Sequence, residues 1–94
     1  MRLLNSELKI IKSVIAKYDY SAKIHLFGSR VNDNKKGGDI DLLIFSKKLT
    51  FEDNLKIKIE LKEIIGDQKI DLIIAKDKSN PFVNFVYDSS IRIL

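Results

Sequence analysis

Residues 38–45 read Gly-Asp-Ile-Asp-Leu-Leu-Ile-Phe, a mostly apolar run that opens with two acids. Its length and apolar character predict a central, buried β-strand. Because side chains alternate along a strand, the carboxylates of Asp39 and Asp41 share one face. Ile40 and Leu42 then point to the opposite face, towards a core. Aspartate is disfavoured in strands and an unpaired buried carboxylate is costly, so this acid pair indicates function rather than packing.

The segments on either side alternate between helical and extended patterns. The predicted elements, in chain order, are a helix over 4–18, a strand over 24–27, a strand over 40–45, a helix that follows Thr50 and ends at 65, a strand over 69–75, a short helix that begins at Asn80-Pro81 and an edge strand over 91–94. Strands that alternate with helices predict an α/β (α+β) class, with a small mixed β-sheet flanked by helices.

Helix-capping patterns fix the ends of the later helices. Thr50 with Asp53 three residues on resembles a capping box, and Gly66 suits the end of that helix. Between them lie two apolar stripes, one of Phe51, Leu55 and Ile59 and the other of Ile57, Leu61 and Ile64. Lys58 and Lys62 lie between the stripes, and their aliphatic stems can cover a core that includes both stripes. The alternative is that the second stripe faces a partner protein.

Composition bounds the class of protein. Ninety-four residues predict a single domain, 1–94. The absence of cysteine excludes disulfides and thiolate metal sites. No apolar run approaches the roughly 20 residues of a membrane span and no signal segment opens the chain, so we expect a cytoplasmic protein. The net charge is +4, but 17 basic residues are interleaved with 13 acidic ones, which favours a solvated surface over a nucleic-acid interface.

A third acid, Asp71, stands in a similar strand as Ile70-Asp71-Leu72. If the two strands are neighbours, the carboxylates of Asp39, Asp41 and Asp71 converge. They then repel one another unless a positive charge lies between them, and hard oxygen donors suit Mg²⁺ or Mn²⁺. Two such ions would activate an attacking oxygen and stabilise a leaving one. The alternative is that each aspartate caps a turn or pairs with a surface lysine.

Gly28-Ser29 closes the first strand. Glycine permits a tight turn and a close approach of backbone to phosphate, and serine adds a hydroxyl and an N–H group. The same dipeptide is also a common turn. No Walker A pattern follows it. Lys35 and Lys36, in the polar loop beyond, would either neutralise phosphate or remain solvated.

The chain resembles the DNA polymerase β-type nucleotidyltransferase superfamily in one combination of motifs. It has Gly28-Ser29, then nine intervening residues, then Asp39-Ile40-Asp41 on a strand, and Asp71 on a later strand. The resemblance covers nearly the whole chain. Within that superfamily the chain looks like the minimal nucleotidyltransferases, the MNT proteins, which are commonly the antitoxins of HEPN/MNT toxin–antitoxin modules. Gly38 departs from the pattern, because serine is frequent at its position.

The resemblance implies a role for each matched residue. Asp39 and Asp41 would coordinate Mg²⁺, as two ions, and Asp71 would complete the metal site and activate the incoming hydroxyl. Gly28 and Ser29 would hold the triphosphate of ATP, and Arg30 would touch phosphate. The implied reaction transfers AMP from ATP to a tyrosine hydroxyl of a HEPN ribonuclease toxin, which silences that partner. A short chain offers little surface to form a substrate-binding pocket. We therefore expect the protein that is modified to supply the rest of that surface.

Three other functions stay open at this point. The chain is a non-enzymatic antitoxin that binds its toxin, a nucleic-acid-binding module suggested by the charge, or a transferase acting on a small molecule. No aromatic-rich basic motif supports the second, and no further domain supports the third. His25 is either a general base or a half-buried strand residue. The aromatics of the last helix, Phe82, Phe85 and Tyr87, are either core or an interaction patch.

Overall fold

A computed structural model describes residues 1–32, 38–66 and 68–94. Within these ranges the elements are α1 (Asn5–Tyr18), β1 (Lys23–Phe27), β2 (Ile40–Phe45), α2 (Phe51–Ile65), β3 (Ile70–Ala75), α3 (Pro81–Asp88) and β4 (Ile91–Arg92). A 3₁₀ segment, the Gly28–Val31 turn, follows β1. The predicted order of helices and strands is confirmed, and β4 is shorter than expected.

The strands form one mixed sheet in the order β3-β2-β1-β4. β1 runs antiparallel to both β2 and β4, whereas β2 and β3 are parallel and are joined by the α2 crossover. In this register Asp41 lies opposite Phe27 on one side and opposite Asp71 on the other. The mixed sheet flanked by helices confirms the predicted fold class.

The main core lies between the sheet and the α1–α2 pair. Ile40 and Leu42 of β2 are fully buried there, as the alternation of side chains predicts. The helices contribute Ile11, Val14, Ile15, Ile57 and Leu61, and the neighbouring strands contribute Ile24, Leu26, Ile70 and Leu72. Complete burial of each large aliphatic side chain stabilises the fold by about 2 kcal/mol.

The opposite side of the sheet, which carries Asp41, Leu43 and Phe45, is called here the site face. Helix α3 covers its middle, where Val83 and Val86 pack on Leu43. Because α3 has only eight residues, it spans little of the sheet. On this face, α3 therefore leaves both ends of the strands uncovered, where binding sites can form.

The predicted helix caps are present. Thr50 Oγ1 accepts a hydrogen bond from Asp53 N at 3.2 Å, and Asp53 Oδ2 accepts one from Thr50 N at 2.9 Å. Asn80 Oδ1 likewise accepts a hydrogen bond from Phe82 N at 2.8 Å. These bonds satisfy N–H groups that the first turn of a helix leaves unpaired.

The two stripes of α2 have different environments. Ile57 and Leu61 are buried in the main core, although Ile64 beyond them is 53% exposed. Phe51, Leu55 and Ile59 are 80%, 46% and 60% exposed.

No helix in the described ranges is long and apolar enough to cross a membrane.

Candidate active site

Three aspartates converge at one end of the site face. Asp41 and Asp71 are partners in the parallel β2–β3 ladder, and Asp39 immediately precedes β2. One carboxylate oxygen from each lies within 4.8 Å of the other two. All three residues are partly buried. The structure thus brings together the acids that the sequence placed on two separate strands.

The cluster carries strong mutual repulsion. Partial burial, followed by the charges of Asp71 and Asp39, raises the pKa of Asp41 to about 6. Lys69 lies beside the cluster, with Nζ 3.8 Å from Asp39 Oδ2 and 4.0 Å from Asp71 Oδ2. A single exposed ammonium only partly offsets three carboxylates.

The chemistry of these donors fits a hard divalent cation. Carboxylate oxygens are the ligands that Mg²⁺ takes together with phosphates and water, and three of them within 4.8 Å can share one ion. Asp39, Asp41 and Asp71 are therefore the residues that would hold Mg²⁺.

Gly28 lies against this cluster. Its φ of +77° belongs to the region that favours glycine, and a β-carbon added here would lie 2.2 Å from Asp41 Oδ2. Any side chain would therefore both strain the turn and displace the carboxylate. Glycine brings the backbone of the Gly28–Val31 turn next to the site that would hold the metal.

Ser29 is placed by a second glycine. A β-carbon on Gly38, whose φ is +93°, would lie 2.1 Å from Ser29 Oγ. A serine at position 38 would strain this backbone and would require the Ser29 hydroxyl to move. Gly38 therefore leaves room for the Ser29 hydroxyl, because it has no side chain. A nucleotide-binding role for Gly28 and Ser29 stays a prediction.

Arg30 is engaged by protein groups. Its Nη1 donates to Arg2 O at 2.9 Å, its Nε donates to Gly38 O at 3.2 Å, and its Nη2 donates to Gln68 Oε1. Nη1 also lies 3.7 Å from Glu7 Oε1, with only 13% and 6% of the two side chains exposed. The predicted contact of Arg30 with phosphate is not tested by this arrangement, which shows the side chain tying the turn to the protein.

Sequence reasoning missed the other members of this network. Gln68 Nε2 donates to Glu7 Oε2 at 3.0 Å, and Arg2 Nη2 donates to Ser29 O at 2.9 Å. These side chains fasten the Gly28–Val31 turn to α1 and to the segment before β3. The sequence offered only one hint, that Glu7 stands four residues before Ile11 and so on the apolar side of the predicted helix, where a carboxylate needs a partner. For Lys69, the signal was its place two residues before Asp71, on the same face of the extended chain.

The remaining candidates lie elsewhere. His25 does share the site face, since it pairs with Leu43, but its Nδ1 contacts Ser90 Oγ at 3.1 Å and its ring contacts Phe45 and Tyr87. It is a buried residue outside the aspartate cluster. Lys35 and Lys36 lie outside the described residues.

Carboxylates beside a tight glycine turn suit the transfer of a phosphate-bearing group, in which metal ions bridge protein and phosphate. The comparison with protein families agrees with this class of enzyme. The family model described as "Polymerase beta, Nucleotidyltransferase" matches residues 9–94, so the chain belongs to the polymerase β-type nucleotidyltransferases. A generic role in nucleotidyl transfer follows from this membership. No curated protein matches the chain.

Proposed function

We propose that the protein is a Mg²⁺-dependent antitoxin that transfers AMP from ATP to a tyrosine hydroxyl of a partner HEPN ribonuclease toxin and so neutralises it in the cytoplasm. The observation that carries the transferase part is the convergence of Asp39, Asp41 and Asp71 beside Gly28. The donor and the partner rest on the resemblance to the minimal nucleotidyltransferases.

In this reaction the tyrosine oxygen attacks the α-phosphorus of ATP. A new P–O bond forms to the tyrosine, the bond from the α-phosphorus to the bridging oxygen breaks, and pyrophosphate leaves. Asp71 accepts the proton of the hydroxyl, and Asp39, Asp41 and Asp71 are the residues that would hold Mg²⁺. Bound Mg²⁺ would neutralise the triphosphate and the developing charge. The Gly28–Val31 turn supplies backbone N–H groups to the triphosphate.

A protein acceptor is supported by apolar surface next to the acids. A cavity of about 290 Å³ is lined by Leu55 and Ile59 of the exposed α2 stripe and also by Asp71. Lys58, Lys62 and Lys69 line the same cavity. Exposed apolar side chains beside a catalytic carboxylate suit a partner that delivers its hydroxyl while it packs on α2.

The test is transfer of label from α-labelled ATP to the cognate HEPN toxin in the presence of Mg²⁺. The substitutions Asp39→Asn and Asp41→Asn should each lower the rate of label transfer to the toxin by at least about a hundredfold, because each removes a charged metal ligand. Asp88→Asn, an exposed aspartate at the end of α3, is the matched control and should label normally. Absence of label with the wild-type protein, or equal labelling by all variants, would refute the proposal.

The exposed stripe of Phe51, Leu55 and Ile59 also favours a second candidate, an antitoxin that acts by binding alone. In that case the double variant Asp39→Asn and Asp41→Asn still neutralises the toxin, and Ile59→Asp does not. The opposite pattern, in which the aspartate variant loses neutralisation while it still binds the toxin, favours the enzyme.

A further inference from the structure

A second cavity, of about 660 Å³, lies at the end of the site face opposite the three aspartates. Phe45, at the end of β2, lines it and lies four positions after Asp41 on that strand. Four residue steps along a strand correspond to about 13 Å. Helix α3 packs on Leu43, between the two. The cavity is therefore separate from the proposed active site.

The cavity is strongly basic. Six cationic side chains line it, namely Lys23, Lys47, Lys48, Lys76, Lys78 and Arg92. Two carboxylates, Asp19 and Asp77, oppose them and are held by hydroxyl and backbone donors. The lining thus carries an excess of four positive charges, which equals the net charge of the whole chain.

An aromatic cluster lines the same cavity. The ring of His25 lies 5.5 Å from Phe45 and 5.1 Å from Tyr87, and the last two rings lie 5.8 Å apart, all between centroids. Lys78 Nζ lies 4.2 Å from the centroid of Tyr87. Aromatic rings with cations beside them offer a stacking surface for bases.

The hydrogen bonds of Ser90 fix the state of His25. Ser90 Oγ donates its only proton to Tyr87 O at 2.7 Å, so it must accept from His25 Nδ1 at 3.1 Å. Burial, with Arg92, Lys23 and Lys78 nearby, lowers the pKa of His25 and keeps the ring neutral. Nε2 therefore carries the lone pair of the ring, and it is the hydrogen-bond acceptor of this side chain.

The cations extend across the whole sheet. They follow β2 and β3, open β1 and occupy β4, which are four adjacent strands in the order β3-β2-β1-β4. Three strand spacings correspond to about 14 Å, more than one phosphate group can contact. A nucleic-acid strand carries successive phosphates over this span.

We propose that this basic cavity binds single-stranded nucleic acid, with phosphates on the lysines and Arg92 and with bases against the Phe45–Tyr87 cluster. The combination of a spread of cations, aromatic rings and a neutral histidine acceptor supports this ligand over an acidic protein segment, which lacks bases to stack and donate. The proposal does not depend on nucleotidyl transfer.

The test is fluorescence anisotropy of the full chain with labelled oligo-U RNA and oligo-T DNA of about ten nucleotides, from about 50 to 300 mM salt. Lys47→Gln with Lys76→Gln should weaken binding at least about tenfold near 100 mM salt and lower the salt slope by about 1.4, since two phosphate contacts are lost. The matched control, Lys9→Gln with Lys12→Gln on α1, removes the same charge outside the cavity and should bind as the wild type does.

A second variant tests the stacking part. Tyr87→Leu keeps an apolar side chain and should weaken binding by about tenfold without a change in salt slope. Stronger binding of RNA than of DNA would support a hydroxyl donor to His25, and equal binding of both would support recognition through phosphates and bases.

Three outcomes would overturn the proposal. They are no binding of either oligonucleotide at low salt, equal losses in the cavity and α1 double variants, and equally good competition by UMP or by poly-glutamate. Competition by UMP would indicate a free nucleotide as the ligand, and competition by poly-glutamate would indicate attraction by charge alone. Asp39→Asn should leave oligonucleotide affinity unchanged, which separates this cavity from the aspartate cluster.

Discussion

Gly28 and Asp41 are in direct contact, so closely that a β-carbon on Gly28 would lie 2.2 Å from Asp41 Oδ2. Asp41 lies on β2, where it pairs with Phe27 of the antiparallel strand β1, and Gly28 directly follows Phe27. The turn that would hold a triphosphate and the carboxylate that would hold a metal are therefore packed as one unit. A change in either should disturb the other.

Gly28→Ala should lower nucleotidyl transfer by about a hundredfold, because a displacement of about 1 Å in a catalytic group has an effect of this size. The variant should also lose Mg²⁺ affinity, since Asp41 must move away from the new β-carbon. Steady-state transfer of label and calorimetric Mg²⁺ titration measure the two effects.

Gly66→Ala is the matched control for that substitution. Gly66 also has a positive φ, of +104°, but a β-carbon there would meet nothing within 4 Å. We expect it to cost about 1 kcal/mol of folding stability through backbone strain and to leave Mg²⁺ affinity unchanged. Equal loss of Mg²⁺ affinity in both variants would show that strain, rather than contact with Asp41, is responsible.

The raised pKa of Asp41 gives the stability a pH dependence. Because the folded state holds this proton up to about pH 6 and the unfolded state releases it near 4, folding stability falls as the pH rises through that window. Above pH 6 the ionised Asp41 carboxylate destabilises the folded state to its full extent. Asp41→Asn should therefore raise the Tm at pH 8 in a chelator, by about 4 °C after allowance for solvent screening.

Mg²⁺ should offset the destabilisation that the ionised Asp41 causes in the wild-type protein. Thermal unfolding at pH 8 should show a Tm that rises with Mg²⁺ in the wild type and much less in Asp41→Asn. At pH 4, where the carboxyl is protonated, the rise should be small in both. A larger effect of Mg²⁺ at pH 4 than at pH 8 would contradict this account.

Arg30→Lys should destabilise the fold by about 2 kcal/mol, because a lysine cannot replace the guanidinium bonds to Arg2 O, Gly38 O and Gln68. Denaturant unfolding measures the change. Glu7→Gln should produce part of the same loss, since it removes the charge that opposes Arg30. If Arg30 is instead a phosphate ligand, the lysine variant unfolds normally and raises only the KM for the nucleotide.

The two stripes of α2 should respond differently to truncation. Leu61→Ala removes a fully buried side chain and should cost about 3 kcal/mol in unfolding free energy. Ile59→Ala, on the exposed stripe, should change the unfolding free energy by less than about 0.5 kcal/mol. If the exposed stripe is the docking surface, Ile59→Ala nevertheless weakens toxin binding, which a pull-down with the labelled toxin can measure.

Local patterns predicted most of the fold. The alternation around Asp39-Ile40-Asp41 set the face of the acids correctly, and the capping residues Thr50 and Asn80 located two helix starts. The meeting of Asp41 with Asp71 was only conditional in the sequence. It required β2 and β3 to be neighbours, a property set by the way α2 crosses over the sheet.

Features that depend on several distant segments were not predictable. Arg30 stands next to the glycine turn, and nothing in its neighbourhood indicated that Glu7 and Gln68 would enclose its guanidinium. The basic cavity likewise gathers lysines and Arg92 from on and beside four strands that are distributed along the chain. A scan for a contiguous basic and aromatic motif could not detect such a surface.

The direct opposition of Asp41 and Asp71 in the parallel ladder makes the cluster a measure of strand register. A slip of one residue would bring Ile70 or Leu72 opposite Asp41 and turn the Asp71 carboxylate under α2, into the apolar core. A sheet in which β3 is slipped or unpaired therefore lacks the third carboxylate of the cluster. Since this pairing closes a long loop, it should form late in folding, and Mg²⁺ should select the chains that have completed it.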